Sequence, residues 1–209
     1  MFEYTCNRVN GDLEINGDLS KPEWRLAAEV NLRDAATGQE PKQATTARLL
    51  WNERWLYAAF HCADAHIYAS MTNFNDPIYN EEVVELFIDD NCDLKSYIEI
   101  EVNPLNACLH YAIHNDLNGH LLSYARTEQT IVTAVHVDKA KGSWSAELGI
   151  PLREFASASN IPPIPGDAWL FNLYRIDRPP HREIEFSAWS PTGEHQFHRP
   201  HSFGRLLFR

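Results

Sequence analysis

The 209-residue sequence predicts an all-β domain, a sandwich of two antiparallel sheets of the immunoglobulin-like or jelly-roll-like kind with at most one or two short helices. Three observations carry this. Short runs rich in aromatic and β-branched residues recur from one end of the chain to the other. Clusters of Asn, Asp, Gly and Pro punctuate them at turn-like intervals. Between residues 97 and 102 the alternation is explicit: Ile98, Ile100 and Val102 share one face and Tyr97, Glu99 and Glu101 the other, as a strand's period of two requires. The second of those faces is expected to meet water or a ligand.

Taken in order, residues 47–51 and 54–62 form the clearest hairpin, joined by a polar turn at Asn52 and Glu53. Further strands are expected at 83–88, 96–102, 108–114, 120–126, 131–137, 144–149, 169–176 and 184–189. Nine or more strands in succession imply two sheets. Pro151 ends one of them, residues 152–158 are expected as one short helix, and the three prolines within 161–166 mark a rigid surface crossing. No linker divides residues 1–209, so a single domain with one core is expected.

Hydrophobic residues make up 44% and charged residues 22%, the balance of a folded globular chain. The net charge of −11 is dispersed and basic residues never gather into a run, which argues against nucleic acid and against anionic membranes. No apolar stretch reaches the roughly 18 residues of a membrane-spanning helix. The beginning MFEYTCNRVNGDLEING has no secretory signal pattern, so the expected location is cytoplasmic as written, or extracellular or periplasmic if a leader was removed. The four cysteines, Cys6, Cys62, Cys92 and Cys108, lack metal-type spacing and are read as reduced thiols. Oligomeric state is left open.

Six tryptophans and eight tyrosines are generous for this length. Aromatic faces pack against the C–H groups of a pyranose, but they are also the main filling of β-cores. Trp24, Trp51, Trp55, Trp144 and Trp169 lie in apolar patterns and are assigned to the core, whereas Trp189, before Ser190 and Pro191, is expected at a sheet edge. Tyr79 follows Asp76 and Pro77 in a loop and is the second exposed ring. Glu85 sits between apolar neighbours and needs a partner if buried, for which Arg175 and Arg48 are available. Asp89, Asp90, Asn91 and Asp93 crowd oxygen ligands into one turn, a candidate calcium site. His195, His198 and His201 offer a weaker transition-metal alternative.

Together these residues resemble the family 9 carbohydrate-binding modules within the DOMON-like group of β-sandwiches. The resemblance runs through Asp18, Pro22 and Trp24; residues 56–60 with Asp64; residues 82–89; Tyr97, Glu99, Glu101, Val102, Asn103 and Pro104; residues 144–151; and the ending 203–208. It implies a sandwich that holds an oligosaccharide or monosaccharide between two aromatic side chains, here Tyr79 and Trp189, with Glu85 as the acidic contact. The family has tryptophan at the position of Tyr79, and its Arg and Asn contacts have no clean counterpart in the strand around Glu99.

The expected function is therefore non-catalytic carbohydrate binding. Tyr79 and Trp189 stack on the ring, Glu85, Glu99, Asn103 and Arg175 bond its hydroxyls, and no cofactor is required beyond a possible calcium ion. Two alternatives stay open: a glycan hydrolase or lyase using two of Glu85, Glu99 and Glu101, and a structural or protein-interaction sandwich.

Overall fold

The computed structural model describes residues 2–209. Fourteen strands run through the described residues: β1 (Glu3–Arg8), β2 (Val30–Asn31), β3 (Arg33–Asp34), β4 (Thr45–Trp51), β5 (Trp55–Ala63), β6 (Val83–Asp89), β7 (Ser96–Val102), β8 (Cys108–Asn115), β9 (Leu121–Ala125), β10 (Val132–Asp138), β11 (Ser143–Pro151), β12 (Ala168–Asp177), β13 (Glu185–Ala188) and β14 (Gly204–Phe208). The helical residues are short 3-10 turns, at Pro22–Leu26, Ile78–Asn80, Leu152–Glu154 and Pro200–Ser202. The helix expected over 152–158 is thus reduced to one turn. Its continuation is taken by Asp90, whose carboxylate accepts from the Ser157 backbone N–H at 2.9 Å and from its hydroxyl at 2.5 Å.

Two sheets face each other. The first has the order β10-β11-β5-β4, all antiparallel, with β2 on the outer edge of β4. The second has the order β14-β12-β6-β7-β8-β9, also antiparallel, with β13 beside the far half of β12 and β3 beside β13. β1 belongs to both and is the exception to antiparallel pairing. Residues Glu3–Cys6 run parallel to β14, and Asn7 and Arg8 run parallel to β4.

Alternation along the strands sorts side chains into three clusters. Leu49, Leu56, Phe60, Leu86, Ile98, Ile100, Val102, Trp144, Phe171 and Leu173 fill the space between the sheets. Trp24, Leu50 and Tyr57 form a smaller cluster with Val9 and Leu13 on the outer face of the first sheet. That cover is fastened by the fully buried Glu147, which accepts from Trp24 Nε1 at 2.8 Å and from the backbone N–H groups of Asn16 and Gly17 at 2.9 and 3.0 Å. Lys21 supplies its countercharge at 2.5 Å. On the outer face of the second sheet, Val83, Phe87, Tyr97, Leu109, Tyr174 and Ile176 pack under Phe197 and Phe203. This third cluster leaves part of its sheet face open, and there the candidate site lies.

Trp24, Trp51, Trp144 and Trp169 are buried as expected, and Trp55 is half-buried against the cluster around Trp24. Among the described residues the four cysteines are unpaired, three buried and Cys92 exposed. No helix of the described residues is long and apolar enough to cross a membrane.

Candidate functional site

A concave pocket of about 430 Å³ opens on the outer face of the second sheet. Its floor is made by β6 and β7. Antiparallel register places Glu85 directly opposite Glu101 and Phe87 opposite Glu99, so one pleat gathers three glutamates on the same side. One oxygen from each of Glu85, Glu99 and Glu101 lies within 4.8 Å of the other two. All three side chains are buried. Glu85 Oε1 has no hydrogen-bond partner among the described residues, and the oxygens of Glu101 have none there but the neighbouring Glu99 carboxyl.

Burial dominates the electrostatics of this floor, since a carboxylate without a compensating charge is costly away from water. It pushes the Glu99 carboxyl up to about 7. Glu85 and Glu101 are driven well above the usual carboxylate range, first by burial, then Glu85 by the charge of Glu99 and Glu101 by those of Glu85 and Glu99.

Aromatic side chains form the walls. Tyr79 stands at one rim, 41% exposed, on the 3-10 turn before β6. Phe186 of β13 also lines the pocket and stacks on His195 with ring centroids 5.1 Å apart and an interplanar angle of 20°, and Arg178 packs over the same phenyl ring at 6.0 Å. The segment 195–198 is held down from below. Tyr174 donates to the Phe197 carbonyl at 3.1 Å, the Tyr97 hydroxyl lies 2.9 Å from His198 Nδ1, and Asn115 donates to the His198 carbonyl at 3.2 Å.

Of the residues expected at a site, Tyr79, Glu85 and Glu99 come together in this pocket. The other three are placed elsewhere. Trp189 is buried between the sheets, its ring 4.5 Å from Phe171 and 5.5 Å from Phe2. The reason is strand phase. Ala188 pairs with Tyr174, so Trp189 falls in line with the inward-pointing Leu173, whose carbonyl accepts its backbone N–H at 2.9 Å. Gly204 makes room for the indole, because a Cβ there would lie 2.5 Å from its ring.

Arg175 also points between the sheets. It donates to Glu82 at 3.0 Å, Asp64 at 3.1 Å and the Ala63 carbonyl at 2.8 Å, a buried network that Trp144 Nε1 joins through Glu82 at 2.7 Å. Glu85 therefore has neither Arg175 nor Arg48 as its partner; Arg48 pairs with Glu29. Asn103 is fully buried in the β7–β8 turn, accepting from the backbone N–H groups of Leu105 and Ala107 and donating to the Met71 carbonyl.

Asp89, Asp90 and Asp93 do not converge. Asp89 accepts from the Leu94 backbone N–H, Asp90 binds Ser157, and Asp93 caps Lys95 and Ser96. The three-carboxylate gatherings among the described residues are Glu85–Glu99–Glu101 and Asp64–Glu82–Asp177, and neither includes His195, His198 or His201. Glu101, Phe186, Tyr111 and His195 also line the pocket and were not among the residues expected to contact a ligand. The signal for Phe186 was its opposite phase to Trp189, three residues on.

The sequence profile described as "Carbohydrate family 9 binding domain-like" matches residues 15–209. The chain belongs to this family. A curated relative of this family 9-like domain, an "Extracellular protein" of Arthroderma benhamiae, is 25% identical over 194 residues, covering 87% of this chain and 86% of the relative. Two solved structures share the fold. A candidate carbohydrate-binding protein from Bacteroides uniformis superposes with a TM-score of 0.79 at 18% identity, covering 99% of both chains. A family 9 carbohydrate-binding module from Caldicellulosiruptor kristjanssonii, in complex with cellotriose, gives 0.72 at 16% identity, covering 100% of this chain and 94% of the other.

Proposed function

We propose that the domain binds a saccharide without chemical turnover in the pocket lined by Tyr79 and Phe186. The observation that carries this reading is the meeting, in one cavity of about 430 Å³, of the aromatic side chains Tyr79 and Phe186 with a floor of buried carboxyl groups, among them the unpartnered Glu85 Oε1. A sugar ring supplies what both need: C–H faces for the rings and hydroxyls for the buried oxygens. The roles expected of six residues are redistributed accordingly. Tyr79 and Phe186 stack; Glu85, Glu99 and Glu101 bond hydroxyls; Arg175, Asn103 and Trp189 hold the scaffold. The three glutamates approach from one sheet, on one side of any ligand, whereas glycosidic cleavage needs carboxyls flanking the bond. That favours recognition over hydrolysis.

The cellotriose-bound module supports a glucan as the first ligand to try, and the name of the curated relative supports an extracellular setting over a cytoplasmic one. Calorimetry with glucose and cellotriose is the test. Tyr79→Ala and Phe186→Ala are each expected to weaken binding about tenfold or more, near 1.4 kcal/mol, in folded protein. Unchanged affinity in both variants, or no saccharide bound by the parent chain, would sink the reading.

A further inference from the structure

The molecule contains two buried carboxylate trios, and only one carries its own cation. Asp64, Glu82 and Asp177 surround the Arg175 guanidinium, at 3.1, 3.0 and 3.8 Å. Glu85, Glu99 and Glu101 have no such centre: none of the ion pairs among the described residues involves them. Arg178, in the wall of the same pocket, packs over Phe186. A second, separate observation is the buried Glu85 Oε1, which lines the pocket without a hydrogen-bond partner among the described residues, on a side chain that is 2% exposed.

We propose that Glu85, Glu99 and Glu101 bind one calcium ion at the floor of the pocket. The donor set is hard oxygen throughout, which selects a hard cation over zinc or copper. Calcium takes six to eight oxygens at about 2.3–2.6 Å, so oxygens on opposite sides of one ion stand roughly 4.6–5.2 Å apart. The trio's oxygens, all within 4.8 Å of one another, fall inside that span. Because the glutamates rise from a single sheet, they cover one side of the ion and leave the pocket side for further oxygens. Water, the neutral side chains of Asn80 and Ser123, or a ligand's hydroxyls complete the shell there. Register and pleat fix the three ligands before any ion arrives, which lowers the ordering cost of binding.

The test is calcium chloride titrated into metal-stripped protein, followed by calorimetry and thermal denaturation. One ion is expected per chain, with a rise in Tm of about 5 °C or more at a hundredfold excess over Kd. Both responses are expected to be lost in Glu85→Gln and in Glu101→Gln, which keep the volume of the side chain, and kept in Asp93→Asn. No response in the parent chain overturns the proposal. So does a response that survives both glutamate variants and disappears in Asp93→Asn, which would return the ion to the 89–93 turn. The saccharide reading stands or falls apart from this: sugar binding with no calcium response sinks the ion alone, and a calcium response with no sugar bound sinks only the sugar.

Discussion

Phe186 lies on β13 and Trp189 one residue past its end, and the two do opposite work. The difference is phase, since residues at odd separations on a strand face opposite sides of the sheet. Both are large aromatics near a Pro-rich turn, so residue type and local composition do not separate them; the register of β13 on β12 does, and register is a long-range fact. Trp189→Ala is expected to cost about 3–5 kcal/mol, the usual penalty for emptying an aromatic site in a close-packed core, read as a lower urea midpoint at unchanged m-value. A loss below about 1 kcal/mol would mean that the ring is not enclosed as described. Arg175 teaches the same lesson from the polar side. It was readable as a strand cation that wants an acidic partner, but its partners are Asp64 and Glu82, the second lying three residues before Glu85 and just ahead of β6.

At the scale of elements, β4 to β8 were legible because each combines an apolar face, alternation and a turn that ends it. The turn after β4 repeats this in detail: Asn52 Oδ1 accepts from the backbone N–H groups of Arg54 and Trp55 at 2.8 and 2.9 Å. β1, β2 and β3 were not legible. β2 and β3 are two residues long, and β1, EYTCNR, reads as an ordinary polar segment whose strand character comes from its partners. The carboxylate floor was half legible, since alternation put Glu99 and Glu101 on one face of β7 while only register adds Glu85. β9 is the weak element: all five residues are exposed, among them Leu122 and Tyr124 at 52% and 59%, and it pairs on one side only. Strand stability follows packing and pairing. The amides of β9 are expected to exchange with deuterium at least tenfold faster than those of β6, which lies between two strands; equal protection would refute the ranking of these strands.

For the whole molecule, buried acid sets the response to pH. Burial, helped by the hydrogen bond it shares with Asp64, holds the Glu82 carboxyl up to about 8, against about 4.5 for an exposed glutamate. The folded state therefore keeps a proton that the unfolded chain releases. Stability from this group is full below pH 4.5 and is lost as pH rises through 8. Between pH 6.5 and 8 the loss is roughly 1–2 kcal/mol, from a slope of about 1.36 kcal/mol per pH unit that falls to half as the folded group reaches its midpoint. His110 and His198, pushed down to about 4 by burial, are neutral in the folded state over that window but half protonated at pH 6.5 in the unfolded chain, so together they offset a little under about 1 kcal/mol of that loss. Urea unfolding at the two pH values is expected to show greater stability at 6.5, with a shallower dependence in Glu82→Gln; a flat or inverted profile would contradict the burial of this acid. The strand that joins the two sheets has a temporal meaning as well. β1 is made before β14, yet it lies between β4 and β14 and cannot complete its pairing until β14 has been made. Between the making of β1 and that of β14 the seam stays unclosed, and a chain lacking β14 would leave both sheets with a raw edge open to other chains.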